Sequence, residues 1–193
     1  FPGDLTVVLT YTLTENNELS IEYKATTSED TIINLTNHSY FNLEGHNGTV
    51  ANQDLYINSK SILDTNEENI PTGLVLDINN SHFDFSTVKK CPIKIDTSFV
   101  LNKNNEVAAS LYSESSNLKM LVYTDQPSVH IYVGGKCDEQ LIGKEKSKYQ
   151  TNSGICFETQ NFPDAPNQSQ FPSIICTPER PYHQRLTIEV SPV

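Results

Sequence analysis

The sequence predicts an all-β protein, an antiparallel β-sandwich. Three features carry that expectation. Apolar residues recur at every second position over short segments, turn-forming residues separate those segments, and no segment shows an apolar stripe of helical period. The clearest alternation is at 5–13, where Leu5, Val7, Leu9, Tyr11 and Leu13 are interleaved mostly with Thr. Residues 19–25 repeat it, again with the odd positions apolar, against Ser20, Glu22 and Lys24. Both read as half-buried strands, and Glu15-Asn16-Asn17-Glu18 reads as the hairpin turn between them. Further short strands are expected at 31–35, 54–58, 73–78, 107–112, 118–123, 128–133, 154–160, 173–176 and 184–190. Turn-rich pieces such as 102–105 and 113–117 separate them. Residues 66–69 and 161–171 read as long loops of functional character. No repeat, linker or low-complexity tract divides the chain, so residues 1–193 belong to a single domain.

Composition agrees. The 36% hydrophobic and 9% aromatic content suffices for a core, and with only 19% charged residues much of the remainder is Asn, Ser and Thr, which favour turns over helix. Against 24 Asp+Glu stand 13 Lys+Arg, a net charge of -11. A phosphate-binding surface needs clustered cations, and Arg180 and Arg185 are the only arginines, while Lys89-Lys90 and Lys144, Lys146 and Lys148 are too sparse. Nucleic acid is therefore excluded as a partner. No apolar run approaches the ~20 residues that cross a bilayer, and no basic segment leads into an apolar one as in a signal peptide, so no membrane association is expected. Cys91, Cys137, Cys156 and Cys176 are far apart with no C-x-x-C pair, which argues for thiols and against a zinc site. Triplets such as Asn34-Leu35-Thr36 match a glycosylation pattern, but in an Asn-rich chain they arise by chance.

Two stretches concentrate chemistry. Asn34-Leu35-Thr36-Asn37-His38-Ser39-Tyr40-Phe41-Asn42-Leu43 crowds amide, hydroxyl, imidazole and phenol groups at a strand end, where scaffolds present sites. Against that stands the ordinary role of such residues in closing a turn, and for a lone His38 the turn reading is favoured. In Gly154-Ile155-Cys156-Phe157-Glu158-Thr159-Gln160, Glu158 shares a strand face with Cys156 and Gln160, opposite Ile155 and Phe157. Pattern alone favours an outward Glu158 by a narrow margin, although a carboxylate among large apolar residues is unusual unless hydrogen-bonded or used. A His and a Glu together supply a general acid and a general base.

Both stretches resemble the aldose 1-epimerase (galactose mutarotase) family. Residues 34–43 match its catalytic-histidine motif almost letter for letter. Phe157-Glu158-Thr159-Gln160-Asn161-Phe162-Pro163-Asp164-Ala165 resembles its catalytic-glutamate motif, with Phe171-Pro172-Ser173 following. Phe1-Pro2-Gly3-Asp4-Leu5 and Phe83-Asp84-Phe85 resemble further family segments.

The resemblance implies a galactose mutarotase-like supersandwich that interconverts the α and β anomers of aldohexoses such as galactose and glucose. His38 would be the general acid and Glu158 the general base. Ser39, Tyr40, Asp96 and His130 would bind the sugar, and Tyr40 or Phe162 would wall the cleft. Two of these depart from the pattern: the usual D-H-N-F around Asp96 reads Asp96-Thr97-Ser98-Phe99, and His130 stands where a Gln is common. His46, His82 and His183 match no motif and read as surface residues. No metal and no cofactor is implied, and the family together with the missing signal points to the cytoplasm.

The chain matches the C-terminal portion of a typical member. An N-terminal half, as a cleaved segment or a second chain, is expected to complete the sheets and to bring a sugar-binding Arg and a second His. Three other readings stay open: a non-catalytic carbohydrate-binding or sugar-sensing module, a hexose-6-phosphate mutarotase, and a structural fragment without activity of its own.

Overall fold

The computed structural model describes residues 1–102, 106–134 and 142–193. Strands in chain order are β1 (Leu5–Leu13), β2 (Glu18–Thr27), β3 (Thr31–Ile32), β4 (Tyr40–Phe41), β5 (Asp54–Ile57), β6 (Ser59–Thr65), β7 (Pro71–Asp77) and β8 (Lys89–Lys90). They continue with β9 (Ile95–Leu101), β10 (Ala109–Ser113), β11 (Leu118–Thr124), β12 (Ser128–Val133), β13 (Ile155–Gln160), β14 (Ile175–Cys176) and β15 (Tyr182–Pro192). One sheet runs β1-β2-β15-β11-β10-β5-β8, a second runs β4-β13-β12-β9-β6-β7, and β14 pairs with β3. The all-β antiparallel architecture is as predicted.

Alternation in the sequence becomes two faces in space. Ile21, Tyr23, Leu55, Ile57, Leu111, Met120, Val122, Leu186 and Ile188 from the first sheet share one core with Phe99, Val129, Ile131, Val133, Ile155 and Phe157 from the second. Because side chains alternate across a strand, this inward set dictates the outward one. Ser98, His130, Tyr132, Cys156 and Glu158 lie on the far face of the second sheet. A smaller core of Leu63, Phe162, Ala165 and Phe171 pins the 161–171 loop, with the two Phe rings edge-on at 5.0 Å. The predicted hairpin turn is present: Asn17 takes the left-handed conformation (φ 60), Leu13 faces Leu19, and β2 begins one residue early.

Several expectations are corrected. β1 is not half-buried, because all nine of its residues are exposed: it pairs with β2 along one edge and nothing described covers either face. β6 and β9 were not anticipated. In β9, Thr97 is polar at an inward position between Ile95 and Phe99, and with Asp96 and Ser98 it makes a polar run that hides the strand. The 31–35 segment keeps only two residues of strand: beyond them the Ile33 N–H still donates to the Ile174 carbonyl, but Asn34 and Leu35 bond with side-chain groups. Phe162 is buried beside Phe171 rather than walling a cleft. His46 is half-buried and ion-paired with Glu145 at 3.2 Å, whereas His82 and His183 are exposed as expected. Cys91, Cys156 and Cys176 are buried thiols, none disulfide-bonded to another; Cys137 and residues 103–105 of the expected turn lie outside the described residues.

Candidate active site

Register builds the site. β12 lies between β9 and β13, and Ser98, His130 and Glu158 face one another in one row, with Asp96, Tyr132 and Cys156 in the next. Six side chains from three strands thus form a grid two rows deep on the outer face. Beside it lies a cavity of about 400 Å³ lined by Asp96, Ser98, His130, Glu158 and Gln160 together with Leu63.

His38 reaches this grid from the loop after β3, and three side-chain contacts hold that loop. Asn34 and Asn161 clasp reciprocally: the Asn34 amide donates to the Asn161 carbonyl (3.0 Å), and the Asn161 N–H donates to Asn34 Oδ1 (2.9 Å). Thr36 Oγ1 donates to the Thr159 carbonyl at 3.0 Å, and the buried Gln184 amide donates to the same oxygen at 2.7 Å. The Tyr182 hydroxyl accepts from the Leu35 N–H at 3.3 Å. Side chains therefore do along the end of β13 what a neighbouring strand would do. Gly154 lets the chain then come close enough for β4 to pair, since a Cβ there would stand 2.9 Å from Tyr40 Cβ.

The result is close contact between an imidazole and a carboxylate. His38 Nε2 is 3.4 Å from Glu158 Oε1, and His38 Nδ1 is 3.4 Å from Cys156 Sγ. Tyr40 lies against the imidazole at 5.2 Å between centroids, and Tyr132 meets it edge-on at 6.3 Å. His38 is exposed, whereas Glu158 is only 9% exposed. Glu158 does take the outward side of its strand favoured by local pattern, but the neighbouring loop covers that face and buries it, and His38, instead of only closing its turn, contacts Glu158 and Cys156.

His130 is held at both nitrogens. Nε2 lies 2.9 Å from Asp96 Oδ1 and Nδ1 lies 2.8 Å from Ser98 Oγ. A carboxylate only accepts, so Nε2 carries the hydrogen, and with a neutral ring the Ser98 hydroxyl donates to Nδ1. Burial raises the pKa of Glu158 above the ordinary carboxylate value. The positive character of His130 and then His38 opposes this, and the Asp96 charge adds to it.

Of the residues singled out from sequence, His38, Tyr40, Asp96, His130 and Glu158 come together. Ser39 is exposed, and its N–H donates to Asn37 Oδ1 (3.1 Å); its side chain joins none of these contacts. Ser98 and Tyr132 were missed. Each lies two residues from a named one, so the strand period finds them once β9 and β12 are placed.

The chain is similar to known proteins in sequence and in fold. A family model described as Aldose 1-epimerase matches residues 1–189. The chain belongs to the aldose 1-epimerase family. Galactose mutarotase of Rattus norvegicus is 36% identical, over 95% of this chain and 56% of the rat protein. Aldose 1-epimerase of Haemophilus influenzae is 35% identical, over 89% and 54%. Among solved structures, the GalM/aldose epimerase homologue from C. elegans superposes with a TM-score of 0.88 at 28% identity, covering all of this chain and 61% of that one. Galactose 1-epimerase from Lactobacillus acidophilus gives 0.85 at 26% identity, over 99% of this chain and 58% of that one. The chain thus spans little more than half the length of the curated relatives it matches, and it shares the mutarotase sandwich.

Proposed function

We propose that this chain carries the proton-transfer pair of an aldose 1-epimerase acting on aldohexoses such as galactose and glucose. The observation that supports it most is the contact of His38 Nε2 with Glu158 Oε1 on a polar strand face that also presents Asp96 and His130. Mutarotation needs one group to take the proton of the C1 hydroxyl while another gives a proton to the ring oxygen. Both oxygens are bonded to C1, so an acid and a base side by side suit them. Glu158 takes the hydroxyl proton, His38 donates to the ring oxygen, and the C1–O bond of the ring opens to the aldehyde. Rotation about C1–C2 and closure with the roles reversed yields the other anomer. Each positioned acid or base is worth about 10²–10⁴-fold. The raised pKa of Glu158 suits a base that must also return its proton. Asp96 orients hydroxyls with the carboxylate oxygen turned away from His130, His130 holds Asp96 in place for this, and Tyr40 packs behind the acid.

The cavity beside Glu158 has no Lys or Arg among its described lining residues, which favours a neutral sugar over a phosphorylated one. Retention of both proton-transfer groups favours turnover over simple sugar binding. Buried thiols that are not disulfide-bonded to one another suit a reducing compartment, and the cytoplasm is the proposed location. The apolar side chains of β1 are 42–77% exposed, in a chain matching 56% of its rat relative, so a preceding segment or second chain is proposed to cover them. Polarimetry of freshly dissolved α-D-galactose and α-D-glucose tests the activity: relaxation faster than the buffer rate supports it, and the buffer rate with the completed protein refutes it. Intact mass and sizing test the second part, and a lone 21.6 kDa monomer in the native preparation would remove it.

A further inference from the structure

The same face gathers a donor set that mutarotation does not require. His38, Cys156 and Glu158 each offer an atom such that all three lie within 4.8 Å of one another. No sequence spacing announces this set, because positions 38, 156 and 158 follow no metal-ligand pattern. From these contacts we propose that His38, Cys156 and Glu158 form a binding site for a thiophilic divalent cation of the zinc or cadmium class, and that its occupation blocks the proton-transfer pair.

Donor chemistry and geometry agree. Imidazole nitrogen, thiolate sulfur and carboxylate oxygen are zinc ligands, and sulfur and nitrogen together select such ions over magnesium or calcium. With metal–ligand bonds of about 2.0–2.3 Å, tetrahedral ligands stand roughly 3.3–3.8 Å apart. Both measured neighbour distances, 3.4 Å from Nδ1 to Sγ and from Nε2 to Oε1, fall in that range. One ring nitrogen serves a single cation, so donor atoms that lie within 4.8 Å of one another must close by up to about 1 Å. His38, whose side chain is 52% exposed on a loop, can swing toward the pair, and the Cys156 and Glu158 side chains, two residues apart on β13, can converge by rotation about their own bonds. The same swing opens the way to the buried sulfur. On binding, the thiol gives its proton to solvent and its sulfur bonds the cation. Water takes the fourth position on the open side of His38. The acid and the base are then both coordinated, and neither can exchange a proton with sugar.

Binding stands on this geometry alone; the block on catalysis rests on the proposed function. Cadmium titration of the chain, followed by the ultraviolet thiolate-to-cadmium charge-transfer band, tests binding without any sugar. One cation per chain is expected, with the band retained in Cys91→Ser, Cys137→Ser and Cys176→Ser and lost in Cys156→Ser. His38→Asn, a change at an exposed position that does not disturb the core, is expected to weaken affinity by about tenfold or more. A band that persists in Cys156→Ser, or an affinity unchanged in His38→Asn, overturns the site. If the metal-free protein turns over sugar and saturating cadmium leaves the rate unchanged, the placement at Glu158 is overturned. If the metal-free protein has no activity at all, the proposed function fails while the titration still decides the metal site.

Discussion

Replacing Glu158 by Gln separates what this carboxyl does for chemistry from what it does to the fold. The amide has nearly the same shape, and it cannot take a proton from the C1 hydroxyl. Loss of one positioned base is expected to slow mutarotation about 10²–10⁴-fold, or roughly 3–5 kcal/mol on the barrier. Stability should move the opposite way, because burial holds the folded carboxyl above its ordinary value of 4.5. Well below that value both folded and unfolded chains carry the proton, and wild type and variant should match. As pH rises through 4.5 the unfolded chain releases its proton first, so the wild type loses stability relative to the variant. The gap grows until the folded carboxyl ionises and is constant above that. Its plateau, at about 1.4 kcal/mol per pKa unit, reads the shift directly. Polarimetry and urea unfolding at a series of pH values provide both measurements. Wild-type turnover in Glu158→Gln would refute the catalytic assignment. A variant less stable than wild type at neutral pH would refute the electrostatic reasoning.

Four further outcomes are expected. His130→Gln removes the largest influence lowering the Glu158 pKa, so the acid limb of the pH–rate profile should move to higher pH; an unmoved limb means His130 does not act on the base. Asn34→Ala breaks both bonds of the clasp, each worth about 0.5–1.5 kcal/mol, so Tm and kcat should fall together as the His38 loop loosens. Phe157→Ala empties a site 1% exposed in the core and should cost about 3–5 kcal/mol in urea unfolding. Leu9→Lys with Tyr11→Lys, at positions 44% and 55% exposed, should leave the stability of the isolated chain nearly unchanged while weakening its association with the segment or second chain proposed to cover β1, read by sizing chromatography.

Much of the fold was legible because one face of most strands is buried. Residues 19–25 and 128–133 alternate cleanly, since their inner faces meet the shared core. β9 was illegible because inward Thr97, between Ile95 and Phe99, and outward Val100 interrupt the alternation that marks a strand. β1 alternates as clearly as any segment yet is exposed throughout, because period two records a face that can be covered, and no described residue covers it.

By itself the sequence determined the all-β class and the family, and singled out His38 and Glu158 as candidate acid and base, because these reside in local alternation and in contiguous motifs. Tertiary structure decided where they sit. His38 and Glu158 are 120 positions apart, and only the Asn34–Asn161 clasp and the pairing of β4 with β13 bring them to 3.4 Å. Whether Glu158 faced water or the site could not follow from its strand, since either parity satisfies a period of two. A loop folded over the outer face settled it, buried the carboxyl and raised its pKa. The same fold placed Cys156 beside both groups, a juxtaposition no linear pattern encodes.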